Sequence, residues 1–367
     1  MGLAPLPDYP WESMAPYAEQ ARRHPGGAID LSIGSPVDPT PALVRDALSA
    51  ATDAHAYPLT VGTPALREAI VDWYARRRGV NLTTANVLPS IGSKEVVALL
   101  PLMLGVGEGD VVVHPRAAYP TYAIGAAIAG ATALASDDPA EWPENTALVW
   151  LNSPGNPDGR VLGLDALRAA HDRALELDAI IVNDECYAEF GWEAPWDAER
   201  IPSILDPRLI GENRSNTLAI YSLSKQSNMA GYRAAFIAGC GRLIKRIATV
   251  RKHAGLIVPA PLQEAMVLAL ADDVHVAEQR ERYRQRREVL RPALLAAGFR
   301  VDDSEAGLYL WATESRDGWE SIQRLAELGI IAGPGHFYGE FFPQHVRFSL
   351  TATDAAIASA ADRLRAS

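Results

Sequence analysis

Short apolar runs alternate with longer amphipathic stretches through the middle of this chain, and this alternation restricts the fold more than any other feature. Five short runs have the composition of strands buried on both faces. They are Asp110–His114, Ala147–Leu151, Ala179–Asn183, Thr217–Tyr221 and Ala234–Ala238. Helical periodicity marks stretches such as Lys94–Leu104, Leu164–Leu177 and Arg242–His253. The pattern predicts an α/β fold with a mostly parallel central sheet covered by helices.

The two ends of the chain differ from this middle. The first 40 or so residues are rich in proline and lack a sustained period, which indicates an extended arm and loop. A long helical pattern covers Gln263–Ala297, and short alternating strands follow at Phe299–Val301, Leu308–Thr313 and Val346–Leu350. We expect an arm at 1–40 that contributes to a small domain, a large ligand-binding domain at 41–260, and a linking helix with a smaller α+β domain at 261–367.

Charge excludes one class of partner. The 367 residues include 34 Lys and Arg against 45 Asp and Glu, a net charge of −11. This excess of acid argues against a nucleic-acid partner, because phosphate contacts need clustered basic residues. The arginine-rich segments 76–78 and 278–287 are therefore predicted to be solvated helix faces. The glycines of Gly105–Gly109 precede a strand instead of following one, so they indicate a turn and not a dinucleotide loop.

The compartment is predicted from what the sequence lacks. Two cysteines, Cys186 and Cys240, are too few for a disulfide framework or a four-thiolate zinc site. His114 and His336 have no metal-ligand spacing, so we expect no metal. The start of the chain does not resemble a signal peptide, and no apolar run reaches the roughly 20 residues of a membrane span. We expect a cytoplasmic protein with no membrane partner.

The segment Ser222–Arg233 carries the strongest chemical signal. It follows a predicted strand and places two hydroxyls, Ser222 and Ser224, before Lys225, with Arg233 at its end. Hydroxyls and a guanidinium around one amine form a phosphate pocket beside a nucleophile. This combination predicts pyridoxal 5′-phosphate as the cofactor, since its aldehyde needs a lysine and its phosphate needs fixed donors.

On this segment the chain resembles the class I/II aminotransferases, which are pyridoxal-phosphate enzymes of fold type I, over essentially its whole length. The resemblance implies that Lys225 binds the cofactor as a Schiff base and then acts as catalytic base and acid, while Ser222 and Arg233 bind the phosphate. Ser224 belongs to the same motif without an assigned role. The implied fold is a large domain with a mostly parallel sheet plus a smaller α+β domain.

Two further loops match the family. By the resemblance, Asn156 in its Asn-Pro-Asp-Gly loop and Tyr187 hydrogen-bond the phenolic oxygen of the cofactor ring from opposite sides. Asp184 faces the ring nitrogen. A carboxylate there keeps that nitrogen protonated, and the protonated ring accepts the electrons of the carbanion formed at the substrate α-carbon. Cys186, between these two residues, is predicted to be a packing residue.

A turn before the first helix of the α/β region completes the phosphate site. Exposed backbone N–H groups and the helix dipole favour an anion at a helix N-terminus. The resemblance implies that Gly92, Ser93 and Lys94 hold the phosphate in this turn.

Aromatic residues complete the cofactor site. Tyr119 matches the aromatic residue that stacks on the cofactor ring, and Tyr122 is a competing candidate. Tyr57 matches the tyrosine that reaches the phosphate of the neighbouring subunit, which implies a homodimer with shared active sites.

Substrate recognition is predicted from two positions near the chain ends. Arg347 matches the arginine that grips the substrate α-carboxylate, a bidentate task suited to a guanidinium. Gly34 matches the glycine that lets this carboxylate approach the backbone. The loop Ile331–Gly339 is expected at the entrance, without an assigned role. An acidic chain must then build a basic pocket, in which we expect Arg233, Arg347 and Lys94.

The substrates are predicted from the N-terminal segments. Leu6–Trp11, Ile29–Pro41 and Tyr57–Pro64 resemble the actinobacterial succinyldiaminopimelate aminotransferases. The resemblance implies amino transfer from glutamate to N-succinyl-2-amino-6-oxopimelate in lysine and cell-wall precursor synthesis. Both substrates carry several carboxylates, so the pocket should hold positive charge beyond Arg347.

Other readings remain open. The same constellation supports aspartate, aromatic or acetylornithine aminotransferases, and carbon–sulfur β-lyases, which eliminate from the β-carbon. Similar domains also occur in transcription regulators, but we expect no room for a helix-turn-helix domain in this chain.

Overall fold

The computed structural model describes residue 6 and residues 10–211 and 214–367. Residues 7–9 of the segment Leu6–Trp11, and residues 1–5 of the expected arm, lie outside the described residues. The strands are β1 Ile29–Asp30, β2 Val87–Ile91, β3 Val111–His114, β4 Thr132–Ala135, β5 Thr146–Asn152, β6 Ile180–Asp184, β7 Thr217–Ser222, β8 Ala234–Gly239, β9 Arg300–Asp302, β10 Tyr309–Thr313, β11 Ile330–Ile331, β12 Gly333–Pro334 and β13 His345–Ser349.

The α-helices range from one turn to 23 residues. They are α1 Ala15–Arg22, α2 Ala42–Ala50, α3 Pro64–Trp73, α4 Ser93–Met103, α5 Thr121–Ala129, α6 Leu164–Glu176, α7 Pro207–Ile210, α8 Leu223–Gln226, α9 Gly241–Ala254, α10 Ala260–Ala271, α11 Val274–Ala296, α12 Gly318–Glu327 and α13 Asp354–Arg365. Within the described ranges, no helix combines the length and the apolar character needed to cross a bilayer.

Seven strands form the main sheet in the order β2-β8-β7-β6-β5-β3-β4. β8 runs antiparallel to both neighbours, and the other adjacent strands are parallel. Val149 and Ile181 belong to the apolar core on one face of the sheet, whereas Leu148 and Val182 belong to the core on the other. Since successive side chains of a strand alternate between faces, both faces are covered. The predicted mostly parallel α/β sheet is confirmed.

All five predicted strands of this sheet occur, with bounds shifted by at most one residue. Two edge strands, β2 and β4, were missed. Pro89 argues against a strand at β2, because proline has no N–H to donate to a neighbouring strand. An edge strand tolerates it, since one side of that strand has no partner. The Gly105–Gly109 segment is the turn between α4 and β3.

A second, antiparallel sheet has the order β12-β13-β10-β9. β1 pairs in parallel with β11, and the backbone N–H of Ser349 donates to the carbonyl of Leu31 at 2.8 Å. One apolar core contains Met14 and Leu31 together with Phe348. Both ends of the chain therefore build this part of the molecule. The expectation that the first 40 or so residues form an extended arm and loop is wrong in part, because they contain α1 and β1.

The predicted continuous helix Gln263–Ala297 is two helices, α10 and α11. The carboxylate of Asp272, between them, accepts the backbone N–H of Val274 at 3.1 Å and that of His275 at 3.3 Å. A side chain that satisfies the first free N–H groups of a helix fixes where that helix begins. The apolar periodicity on both sides of Asp272 hid this break.

The arginine-rich segments are only partly solvated, which corrects the prediction for them. Arg284 on α11 lies on the surface between two glutamates, as expected. Arg286, however, is buried and donates to Asp38 and Asp354, so it ties the N-terminal segment and α13 to α11. Arg78 is also buried, against Glu185.

Candidate active site

A cavity of about 480 Å³ opens at the carboxyl ends of three neighbouring parallel strands. Asn152 ends β5, Asp184 ends β6 and Ser222 ends β7. Loops that follow parallel strands meet at one edge of a sheet, where α/β proteins bind ligands. The predicted site residues that line the cavity are Gly34, Ser93, Lys94, Tyr119, Asn156, Asp184, Tyr187, Ser222, Lys225, Arg233 and Arg347.

Lys225 lies on the single-turn helix α8, directly after β7. The Ser222 hydroxyl caps this helix by accepting the Ser224 N–H at 3.1 Å, and the two serine oxygens are 2.8 Å apart. The Lys225 ammonium donates to the carbonyl of Gly34. Burial lowers the pKa of Lys225, and the cations of Arg347 and Arg233 lower it further. A lowered pKa increases the share of the neutral amine, which is the nucleophilic and basic form.

Asp184 is buried in the floor of the cavity. Its carboxylate accepts the Tyr122 hydroxyl at 3.1 Å and the Cys186 N–H at 3.1 Å. Burial raises its pKa although these hydrogen bonds oppose the shift. No Lys, Arg or His in the described part of the chain pairs with it. A buried carboxylate is stabilised by a positive partner, and a bound ligand could supply that charge to Asp184.

An anion cradle lies at the other side of the cavity. Ser93 and Lys94 form the first turn of α4, where backbone N–H groups point outward. Gly92 does not line the cavity. It has φ +74°, and a Cβ there would lie 2.4 Å from Nη2 of Arg233, so only glycine lets this guanidinium approach the turn. The arrangement suits a phosphate group.

Arg347 is held by contacts that the sequence did not reveal. Its Nη1 donates to Oδ1 of Asn156 at 2.8 Å and its Nη2 to the Ser32 carbonyl at 2.5 Å. Its guanidinium lies 4.0 Å from the ring centroid of Tyr309 and 4.8 Å from that of Tyr338. Its buried Nε has no hydrogen-bond partner among the described residues. This donor is available to a carboxylate ligand.

Tyr309 was missed because an aromatic residue in a predicted strand is ordinarily a packing residue. Its hydroxyl lies 3.2 Å from that of Tyr187, and a Cβ at Gly34 would lie 2.0 Å from it. Burial would raise the pKa of Tyr309, but the charges of Arg347 and Lys225 outweigh it and hold the pKa below its usual value. Burial raises the pKa of Tyr187. Either hydroxyl can donate in this pair.

Tyr119 and Tyr122 occupy different environments. Tyr122 is fully buried and its hydroxyl donates to Asp184. Tyr119 stays partly exposed in the cavity, with the Lys94 ammonium 5.8 Å from its ring centroid. Tyr119 is therefore the ring available for stacking on a ligand.

Tyr57 is not brought to the cavity within one chain. Its side chain is 99% exposed. Tyr338, in the loop Ile331–Gly339 that had no assigned role, instead contributes one of the two rings that hold Arg347. No local sequence signal distinguishes it from a packing aromatic.

Fold and site together define a pyridoxal-phosphate-dependent enzyme of fold type I. Residues 27–364 match the family model "Aminotransferase class I and II", and the chain belongs to this family.

The chain is 52% identical over 360 residues to 4-dedimethylamino-4-oxo-anhydrotetracycline transaminase of Streptomyces rimosus, covering 98% of this chain and 99% of that protein. It is 50% identical over 363 residues to the probable aminotransferase Rv1178 of Mycobacterium tuberculosis, covering 98% of this chain and 86% of that protein. The solved N-succinyldiaminopimelate aminotransferase of M. tuberculosis has a TM-score of 0.86 at 26% identity, covering 96% of each chain.

The chain is thus an aminotransferase with pyridoxal 5′-phosphate as its cofactor, and the cofactor prediction is confirmed. The residues present fit this group. The α4 turn and Arg233 suit its phosphate, Lys225 suits its aldehyde, and the unpaired Asp184 suits its protonated ring nitrogen. A protonated ring nitrogen would give Asp184 a positive partner, which none of the described residues provides.

Proposed function

We propose that this aminotransferase transfers the amino group of glutamate to N-succinyl-2-amino-6-oxopimelate, in the synthesis of diaminopimelate and lysine. The convergence of Lys225, Asp184 and Arg347 on one cavity carries the proposal for amino transfer between carboxylate substrates. The acceptor is supported by the resemblance of the N-terminal segments and by the likeness to the solved N-succinyldiaminopimelate aminotransferase.

The proposed roles follow from where each side chain lies. When bound, pyridoxal phosphate supplies an aldehyde and an electron-withdrawing ring. Lys225 would hold the cofactor through its aldehyde, and its Nζ would move the proton at the substrate α-carbon. Asp184 keeps the ring nitrogen protonated.

The remaining site residues orient the two partners. Arg347 binds the substrate α-carboxylate through its fork of donors, beside Gly34. Asn156 and Tyr187 would hydrogen-bond the phenolic oxygen of the ring, and Tyr119 offers a ring face for stacking. Ser93, Lys94, Ser222 and Arg233 would hold the phosphate, and Gly92 leaves room for the Arg233 guanidinium.

The acceptor can be tested with a panel. Purified protein loaded with cofactor and glutamate is offered N-succinyl-2-amino-6-oxopimelate, oxaloacetate, an aromatic 2-oxo acid and N-acetylglutamate semialdehyde, and products are identified by mass spectrometry. We expect the highest kcat/KM with the succinylated acceptor, and Lys225→Ala as the blank. No product from that acceptor would remove the substrate assignment. Pyruvate and ammonia released from cystathionine would indicate the β-lyase instead.

A polycyclic ketone acceptor is a second candidate. It is favoured by the 52% identity to the S. rimosus transaminase and by the apolar residues Trp11, Ile33 and Ile124 in the cavity wall. A 4-oxo-anhydrotetracycline in the same panel distinguishes the two candidates, because its aminated product has a characteristic mass.

We also propose that the enzyme is a cytoplasmic homodimer in which Tyr57 reaches the phosphate of the neighbouring subunit. Support comes from apolar side chains that are more than half exposed in the single chain, namely Ile33, Val37, Tyr57 and Leu59. Two free buried cysteines suit a reducing compartment. The proposed domain division is 1–40, 41–260 and 261–367, with the arm joining the C-terminal part.

A further inference from the structure

A buried chain of hydrogen bonds connects the turn that carries Lys225 to the start of α11. His275 Nδ1 lies 2.8 Å from Oδ2 of Asp272, and its Nε2 lies 2.8 Å from Oγ of Ser227. The carboxylate of Asp272 can only accept when ionised, so Nδ1 carries the proton and Nε2 accepts from Ser227. The imidazole and two backbone N–H groups hold the pKa of Asp272 below its usual value, although burial opposes this shift.

The chain of hydrogen bonds continues beyond Ser227. The Gln226 amide donates to Oγ of Ser227 at 3.2 Å, and the Tyr221 hydroxyl donates to the Gln226 carbonyl at 2.7 Å. Tyr221, Gln226 and Ser227 are all buried. Buried hydrogen bonds of this kind favour a single geometry for the residues that they join.

The arrangement has the residue types of a hydrolase triad, but Ser227 is not a nucleophile. Its side chain is fully buried, so an acyl substrate cannot reach its oxygen. The three residues must act through what they hold in place.

What they hold is the short helix α8. Four residues form too short a helix to be stable alone. Ser222 caps its start, and the backbone N–H of Ser227 closes its end by donating to the Leu223 carbonyl at 3.1 Å. Lys225 lies between these two fixed points.

We propose that His275 is a positioning residue for Lys225, acting through Ser227 to fix the turn that directs the lysine amine into the cavity. The proposal rests on the proposed role of Lys225. Without the bond to Ser227, the end of α8 loses its side-chain anchor and the amine samples more orientations. Proton transfer is sensitive to such displacement.

Two variants of one residue separate its two contacts. In His275→Gln the side-chain carbonyl can replace Nε2 as acceptor for Ser227, whereas in His275→Asn the amide can replace Nδ1 as donor to Asp272 but does not reach Ser227. Ser227→Ala removes the same bond from the other end. His171→Gln is the matched control, since His171 is also buried and contacts the Thr217 hydroxyl at 3.2 Å, on the far end of β7.

The measurements are the single-turnover rate with glutamate and the pH midpoint of the visible absorption of the bound cofactor. We expect His275→Asn and Ser227→Ala each to slow the turnover by about tenfold and to shift the midpoint, while His275→Gln stays within about twofold of wild type. The double variant His275→Asn/Ser227→Ala should be no slower than Ser227→Ala alone, because Ser227→Ala already removes the bond to His275 together with the bond from Gln226.

Three results would overturn the proposal: additive losses, equal impairment in His275→Gln and His275→Asn, or changes no larger than in the control His171→Gln. Its failure is distinguishable from that of the proposed role of Lys225. Borohydride trapping of cofactor on a peptide other than the one with Lys225, in the wild-type protein, would overturn that role instead.

Discussion

Asp184 illustrates how one buried carboxyl group is adapted to a ligand. Burial raises its pKa in the protein alone, which favours its protonated form. A cationic ring nitrogen beside it reverses that preference, because an opposite charge stabilises the carboxylate. The proposed role of Asp184 is therefore electrostatic, and removal of its charge should separate catalysis from folding.

We expect Asp184→Asn to fold normally, because the amide oxygen can still accept the Cys186 N–H while the amide NH2 donates to the Tyr122 hydroxyl. Turnover with glutamate should fall by at least about a hundredfold, since the charge that holds the ring proton is lost. Tyr122→Phe, which removes only one hydrogen bond, should cost much less. Thermal denaturation and single-turnover absorbance check both points; near-normal rates in Asp184→Asn would contradict the role.

Among single residues, the sequence predicts those whose role can be recognised from a short motif. Asp184 ends a strand of the main sheet, Asn156 and Lys225 lie within four residues after one, and Arg233 directly precedes one. All four line the cavity. Tyr309, Tyr338 and Ser32 were not predictable. The two tyrosines contact Arg347 through their ring faces, and Ser32 contacts it through its backbone carbonyl. Neither kind of contact can be recognised from the type of residue in the sequence.

The loop after β5 carries a second unusual carboxyl group. Burial raises the pKa of Asp158 to about 7, and the carboxylates of Asp303 and Asp137 add to this shift, while the Arg160 N–H opposes it. An unfolded aspartate titrates near pH 3.9. Between about pH 4 and 7 the folded protein therefore retains a proton that the unfolded chain releases. The stability that this proton contributes is lost as the pH rises through about 7.

Asp158→Asn removes this dependence, because an amide does not titrate in that range. We expect the Tm of the wild type to fall relative to that of Asp158→Asn as the pH rises from about 5 to about 8. Thermal denaturation of both proteins across this range gives the difference. Asp165→Asn, on the exposed face of α6, is the control. A difference that does not vary with pH would show that Asp158 is ionised throughout.

The helices and strands that the sequence predicted are those whose apolar residues recur with a single clear spacing. The buried parallel strands are examples, and so is α6, whose Leu167, Ala170 and Ala174 are buried on one face. The failures have physical reasons. β2 contains a proline that only an edge position tolerates, and the boundary between α10 and α11 depends on one capping carboxylate, Asp272.

For the whole molecule, the proposed shared site can be tested by mixing two inactive variants. Lys225→Ala lacks the reactive amine, and Tyr57→Ala lacks the side chain proposed to serve the neighbouring subunit. In a mixed dimer one site contains both substitutions and the other contains neither. Random exchange should therefore restore roughly a quarter of the wild-type activity. No recovery after confirmed subunit exchange would show that Tyr57 acts within its own chain or not at all.

The pairing of β1 with β11 sets the order in which a growing chain can be completed. Ile29 and Asp30 leave the ribosome about 300 residues before Ile330 and Ile331, a delay of roughly 15–60 s at usual synthesis rates. Met14 and Leu31 pack in a core that is formed by the same late residues, so they stay exposed until those residues are synthesised. Because exposed apolar side chains favour aggregation, we expect chaperones to bind this early segment. The main sheet is complete much sooner. A nascent chain can therefore assemble its phosphate cradle before Arg347 exists to receive a substrate carboxylate.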